Sequence, residues 1–525
     1  MVKYDDPNQT KIVKFTLPFS GRLDPNNRWI QLADMIPWRE LYGKYTKRMR
    51  KDFGRMAVKP RIAIGALIIK HYKNLSDEET IQEILENPYM QYFLGYSSYQ
   101  FKPCFDPSLF VTIRKRLPAR TIETINEIFV QKVKEYEKIE EEKKRFRKSK
   151  KPPKSSGGGG KQKTLPGMEA PKNKGKLIVD ATIAPSNIKY PTDLDLLNDS
   201  REISEKLIDN LYQAGHFDQK PRTYRQIARK DYLNVIKKKR KGRKTLRKGI
   251  RKQLQYLRRN LSHIDKMLDI LKDHPRRGLR PELLNQREQE LLDTIRKIYA
   301  QQEEMYTKKS HTVKDRIVSI HQPYIRPMVR GKANADVEFG AKISVSVVEG
   351  FVFLDRLKWD AFNENQDLIA QVNKYKRQFG YYPAVVIADG IYGTRENRNY
   401  LKEHGIRFSG KKLGRPPKEI DAITREMERL RILEQGERNE VEGKIGTAKT
   451  RYGLGKVMTK TQETSENWIA MAIFSMNMAT ALRLSAIQAG KLLLSLFYWV
   501  KNWLKFVLKL SFLNYEPAII SLVDE

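Results

Sequence analysis

Two short apolar runs in this chain each end in an aspartate. One is LIVD at 177–180, within LIVDATI (177–183), and the other is AVVIAD at 384–389. Short runs rich in Val and Ile are the pattern of strands buried on both faces. Two such strands, each ending in a carboxylate, restrict the chain to α/β arrangements whose strand ends open on a polar site. A third acid, Glu442, lies in RNEVEGKIGTAK (438–449), which reads as helix. Arg438, Glu442 and Lys449 are spaced by four and seven residues, so on a helix they share one face. Carboxylates suit hard cations such as Mg2+. A pair of such ions about 4 Å apart can clamp the attacking and leaving oxygens of an in-line phosphoryl displacement.

The order of segments extends this reading. Residues 1–135 read as an all-helical N-terminal domain for DNA binding or dimerisation. Ser76 and Glu79 form a capping box at SDEETIQEILEN, and Asp106-Pro107 pairs an N-cap with a proline at the first helical position. Residues 136–175 are of low complexity, include four consecutive glycines, and read as a flexible linker. Residues 176–198 hold the first strand. Residues 199–310 carry helical patterns only. Leu254, Leu257, Leu261, Ile264, Leu268 and Leu271 make one apolar stripe, and a helix at 283–306 can pair with it. Residues 311–482 continue the catalytic domain. A hairpin at 337–359 turns at Glu349-Gly350; then come a helix at 363–379, the Asp389 strand, a helix at 394–404, a strand at 406–410 and a long helix carrying Glu442. Residues 483–525 read as an amphipathic helical tail. The expected fold class is α/β: a ribonuclease-H-like domain with a large helical insertion after its first strand, preceded by an all-helical N-terminal domain.

Charge narrows the partner. The 525 residues carry a formal net charge of +39, from 101 Lys and Arg against 62 Asp and Glu. A surplus of this size favours a polyanion, most simply nucleic acid. Between Lys220 and Arg259 there are 18 basic residues and one acid, Asp231. The densest part, Lys237, Lys238, Lys239, Arg240, Lys241, Arg243 and Lys244, is expected to bind DNA phosphates without sequence preference. The single cysteine, Cys104, excludes an intrachain disulfide and zinc clusters of several cysteines. No secretory signal is evident in the N-terminal sequence. In KLLLSLFYWVKNWLKFVLKLSFL (491–513), Lys501, Lys505 and Lys509 interrupt the apolar run, so no membrane span is expected there.

At this point the blocks resemble a known family. LIVDATIAPSNIKYPTDLDLLNDSR (177–201), VVIADGIYGTRENRNYLKEHGI (385–406) and RNEVEGKIGTAKTRYGLG (438–455) resemble the DDE transposases of bacterial insertion sequences, specifically the insertion-sequence-five group and its allies. That group's C-terminal signature is Tyr, two residues, Arg, three residues, Glu, six residues, Lys. Arg438, Glu442 and Lys449 fill its last three slots, while Gln435 stands in the tyrosine slot and Ile391 where glycine is usual in the second block. The resemblance implies a metal triad of Asp180, Asp389 and Glu442, with Mg2+ or Mn2+ as cofactor, two ions per site. Arg438 and Lys449 would hold DNA phosphates or the leaving strand. It implies double-stranded DNA as partner, both terminal inverted repeats and target, and a homodimer or larger assembly, cytoplasmic and on the bacterial nucleoid. Water would cut at the element end and the freed 3′-OH would join target DNA. Two alternatives stay open: a metal-dependent endonuclease on the same fold without strand transfer, and a catalytically silent DNA-binding protein.

Lesser signals have plainer readings. Asp193, Asp195 and Asp199 read as turn and cap residues, and His311 and His321 as surface residues. LGRPPK (413–418) offers Arg415 as a minor-groove contact. Trp359 and Tyr392 could stack on a flipped base, with core packing the expectation for Trp359.

Overall fold

The computed structural model describes residues 15–17, 21–49, 56–149, 173–213, 217–273, 284–332, 335–411, 413–414 and 422–486. Most of the expected linker and tail, and Arg415, lie outside the described residues.

The N-terminal part is helical: α1 (Arg28–Met35), α2 (Trp38–Thr46), α3 (Pro60–Lys73), α4 (Asp77–Glu86), α5 (Pro88–Phe93), α6 (Leu109–Arg116) and α7 (Ala119–Ser149). The capping box forms as expected, with Ser76 Oγ accepting from Glu79 N at 3.0 Å and Glu79 Oε2 from Ser76 N at 2.8 Å. Asp106 caps a turn rather than the helix itself: it accepts from Ser108 N, and α6 begins at Leu109. Helix α7 runs through Ser149, past the boundary drawn at 135 and into the expected linker. The reason is local, because EKIEEEKKRFRK is built of strong helix formers.

Strand β1 (Lys176–Pro185) is followed by α8 (Asp193–Gln213), α9 (Arg225–Ile236), α10 (Arg243–Asp273) and α11 (Gln286–Lys308). The predicted hairpin of two helices is thus part of a four-helix unit. Helix α8 belongs to that unit and begins at Asp193, ahead of the expected boundary at 199. Leu254, Leu257, Leu261, Ile264 and Leu271 are buried with Leu197, Ile208 and Ile295 in a hydrophobic cluster confined to 196–320.

The sheet contains β2 (Arg326–Lys332), β3 (Ala335–Val348), β4 (Phe351–Lys358), β5 (Val385–Ile387) and β6 (Arg407–Phe408) in addition to β1. The strand order is β2-β3-β1-β5-β6, with β4 also on β3. Strand β3 is antiparallel to β1, β2 and β4, while β1–β5 and β5–β6 are parallel. The β3–β4 hairpin turns at Glu349 and Gly350, both with positive φ (51° and 83°), as a two-residue primed turn requires. Helices α12 (Leu368–Phe379), α13 (Arg395–Glu403), α14 (Ala422–Gly436), α15 (Asn439–Arg451) and α16 (Gln462–Ala486) complete the described chain. The result is a mixed α/β fold.

The N-terminal helices and the sheet share one hydrophobic core. Trp29, Leu67, Phe129, Ile178, Val386 and Phe474 belong to a single buried cluster. A buried polar junction reinforces it: Asn477 Nδ2 donates to Asn126 Oδ1 at 2.8 Å, and Asn126 Nδ2 donates to Val352 O at 3.1 Å. By length and composition α16 could cross a membrane, but 67% of its apolar window is buried inside the protein. It serves here as a core helix.

Candidate active site

Asp180 does not end its strand. Strand β1 continues to Pro185, held along β3, so Asp180 lies mid-strand opposite Val345. Asp389 lies just beyond β5, capping a 3-10 turn at Gly390–Tyr392 and accepting from Gly390 N at 2.5 Å. The two acids are still level. In the parallel β1–β5 pair Ile178 faces Ile387, and each aspartate follows two residues later. Neighbouring strands lie about 4.8 Å apart, so the acids emerge side by side.

Glu442 comes from α15, which packs on β1 and β3. The expected single long helix is broken: α14 ends at Gly436, and Arg438 is the N-cap of α15 with helical dihedrals (φ −57°, ψ −26°). That keeps the four-residue spacing in register, and Arg438 Nη2 lies 3.1 Å from Glu442 Oε1. The same nitrogen lies 3.7 Å from Asp389 Oδ2 and 4.0 Å from Asp180 Oδ2. One guanidinium nitrogen therefore gathers all three acids.

Burial differs among them. The Asp180 side chain is 16% exposed, whereas those of Asp389 and Glu442 are each 55% exposed. Burial pushes the Asp180 carboxyl above its ordinary range. The Ala181 N–H and Arg438 oppose this, while Glu364 and Glu442 add to it. Glu364, in a 3-10 turn (Glu364–Asp367), is an acid beside the site that the sequence reading missed. It is paired with Lys342 at 2.9 Å. Nothing in FNENQD distinguishes it from an ordinary loop acid.

Three carboxylates are a hard-oxygen donor set, and a cationic group already stands among them. Thr182 Oγ1, two residues from Asp180 on the same strand, and Arg438 Nε are buried without hydrogen-bond partners. These features fit a divalent cation held by Asp180, Asp389 and Glu442. As the side chains stand, no three acids, histidines or cysteines among the described residues are gathered closely enough to hold a metal. Gly443 and Gly446 lie inside α15, where glycine costs about 1 kcal/mol relative to alanine. A Cβ at either would meet nothing within 4 Å, so packing does not require them, and this face of α15 is open.

The other candidates are dispersed. Lys449 lies two turns beyond Glu442 and lines a cavity against the N-terminal helices. Lys237, Lys238, Lys239, Arg240, Lys241, Arg243 and Lys244 are all exposed where α9 passes into α10. Tyr392 is fully buried and Trp359 is 6% exposed, its Nε1 donating to Glu466, so neither is placed to stack on a base. His311 and His321 are exposed. Asp193 and Asp195 are engaged with Arg316 and Tyr232. Gln435 accepts from Ser409 Oγ at 3.0 Å, tying α14 to the strand edge in the slot where the family has tyrosine.

The α/β sheet thus sets two in-register aspartates beside a helical glutamate. Comparison with known proteins agrees. Residues 386–479 match the family described as Transposase DDE domain, and residues 18–116 match Transposase domain (DUF772). A Rhizobium meliloti protein described as uncharacterized protein ORF8 in nfe locus is 27% identical over 182 residues, 33% of this chain and 72% of that protein. No solved structure matches. These matches together support a DDE transposase.

Proposed function

We propose that the protein cuts DNA at the terminal inverted repeats of its own mobile element and joins the freed 3′-OH to target DNA. The observation that carries this reading is the convergence of Asp180, Asp389 and Glu442 on one nitrogen of Arg438. The fold reading that goes with it is ribonuclease-H-like. It is supported by the path β4-β3-β1-β5-β6, with β3 antiparallel and β5 and β6 parallel to β1.

In this reading the three acids hold Mg2+ or Mn2+, probed best as a two-ion site. Such ions polarise the phosphodiester and lower the pKa of an attacking water or hydroxyl. The chain's own residues do the rest. Asp180, in the least exposed position, fixes the floor of the site. Asp389 and Glu442 reach in from a loop and a helix. If the acids held a cation, Arg438 would be free to bind a phosphate oxygen, for which a guanidinium is suited. The open glycine face of α15 lets the DNA backbone approach. The exposed basic junction of α9 and α10 grips phosphates, and the N-terminal helices read the repeat. Two ends must meet, so the working form is a dimer or larger assembly on nucleoid DNA in the cytoplasm.

The test is cleavage and strand transfer on DNA carrying the element ends, for the wild type and for Asp180→Ala, Asp389→Ala and Glu442→Ala. Each variant is expected to lose both reactions and keep its DNA affinity. Mg2+-dependent cutting by Asp389→Ala would refute the triad. Cutting by the wild type with no joined product would assign an endonuclease instead.

A further inference from the structure

Asp389 stands on a turn, not on a strand. Its side chain is 55% exposed, so little packs around the carboxylate itself. The turn that follows is closed by its own backbone, with Tyr392 N donating to Asp389 O at 3.1 Å and Gly393 N to Gly390 O at 3.0 Å. A carboxylate so placed holds a cation well only where the turn beneath it is fixed.

A buried amide fixes it. Asn397, in the first turn of α13, is 4% exposed. Its Nδ2 donates to Tyr392 O at 2.9 Å, at the end of the Asp389 turn. The same nitrogen donates to Asn365 O at 2.8 Å, inside the 3-10 turn Glu364–Asp367. That second turn carries Glu364, the acid beside Asp180. Both protons of one amide nitrogen are thus spent on carbonyls from two separate segments. The amide is aimed by its own helix, since Asn397 N donates to Oγ1 of Thr394, the N-cap of α13, at 3.3 Å. The Asp389 turn has other anchors: Tyr392 is fully buried, and Arg398 Nε donates to Gly393 O at 2.8 Å. Asn397 joins the two acid-bearing turns directly.

The side chain is specific for this task. An asparagine amide offers two N–H donors on one nitrogen. An ionised aspartate of the same shape offers none and would set its charge against both carbonyls. Serine offers one donor on a shorter arm. A buried carbonyl left without a donor is costly, so either change favours movement of a turn.

We propose that Asn397 is a positioning residue for the cation site. Its amide clamps the turn that carries Asp389 to the turn that carries Glu364, and so sets where the Asp389 carboxylate stands relative to Asp180. It acts through the backbone and not as a ligand. The proposal rests on Asp180, Asp389 and Glu442 holding the cation.

The test is Mn2+ binding by the full chain without DNA, read from the electron paramagnetic resonance of the free ion. The unfolding temperature in EDTA is measured on the same samples. Asn397→Asp and Asn397→Ser should each weaken Mn2+ binding by about ten-fold or more, the usual cost of losing a group that orients a metal ligand. Asn397→Ser, the gentler change, decides the matter if Asn397→Asp does not fold. Asp389→Asn should weaken binding as well. Adding Asn397→Ser to Asp389→Asn should then cost less than about two-fold more, because the carboxylate that Asn397 positions is already lost. A merely structural role would lower the unfolding temperature and leave Mn2+ affinity within about two-fold, or would weaken binding by the same factor with and without Asp389. Either result would overturn the proposal. Unchanged Mn2+ affinity in Asp389→Asn would instead overturn the carboxylate reading on which it rests.

Discussion

The docking of α7 on the sheet makes stability depend on pH through one side chain. Glu123 faces the sheet from α7, in the company of Lys374, Asp355, Glu127 and Arg120. Burial pushes its carboxyl up to about 7 from an ordinary value of 4.5. Lys374 opposes the shift, and Asp355 and Glu127 add to it. Lys374 is already engaged, at 3.1 Å from Asp355 and 3.3 Å from Glu127, so it does not fully neutralise a third acid. Because the folded-state pKa is raised, the folded protein binds the proton more tightly than the unfolded chain. Stability from this group is therefore fully present below about pH 4.5 and is lost as pH rises through about 7. The shift bounds the loss at about 3 kcal/mol, from 1.36 kcal/mol per pKa unit. Glu123→Gln places a permanently neutral side chain of the same shape there. It should equal the wild type near pH 4.5 and exceed it by 1 to about 3 kcal/mol at pH 8. Urea unfolding of both proteins from pH 4.5 to 8.5 measures this directly. Parallel stability curves across that range would refute the reasoning.

Four further outcomes are expected. Arg438→Ala should lower metal-free stability by about 1 kcal/mol, since two of its three partners are half exposed and screened. Mg2+ should then raise the variant's melting temperature more than the wild type's, as read by thermal shift. Neutralising Lys237–Lys241 should weaken binding to DNA of any sequence and flatten log affinity against log salt by about 0.9 for each phosphate no longer neutralised. Anisotropy titrations over a salt series check it, and preference for element ends should change little. Strand cleavage should stop on exhaustive chelation and return with Mg2+ or Mn2+, while Ca2+, with its looser coordination, supports binding and little chemistry. Ser76→Ala removes the acceptor of a capping box and should cost about 1 kcal/mol of stability, measured by denaturant midpoint.

The levelling of Asp180 with Asp389 was legible because each follows a short apolar run of a paired strand, and Arg438 and Glu442 keep helical spacing. The hairpin was legible because Glu349-Gly350 is a primed-turn pair. The end of β1 was misplaced because ATIAP carries small residues and a proline, which resemble a loop. The pairing of Ala181 through Pro185 with Ser344 through Gly340 on β3 shows that the strand continues. Strand β2, RPMVRGK, escaped notice because it has no apolar run to display; it lies along the edge of β3, where basic residues are tolerated. The break between α14 and α15 falls just after Gly436, whose weak helical preference the flanking helix formers mask. That Lys449 reaches a cavity under the N-terminal helices could not be read, because it depends on how two distant segments pack.

The two hydrophobic clusters set different rules for change in this lineage. The four-helix unit at 193–308 closes on its own apolar side chains, so its surface, and even its identity, can be exchanged without disturbing the sheet. The N-terminal helices have no such freedom. Phe129 meets Phe474 edge-on, and Asn477 Nδ2 donates to Asn126 Oδ1 across the junction. Drift in the N-terminal helices is therefore yoked to drift in α16. A hybrid carrying another element's N-terminal domain will fold only if the last helix travels with it.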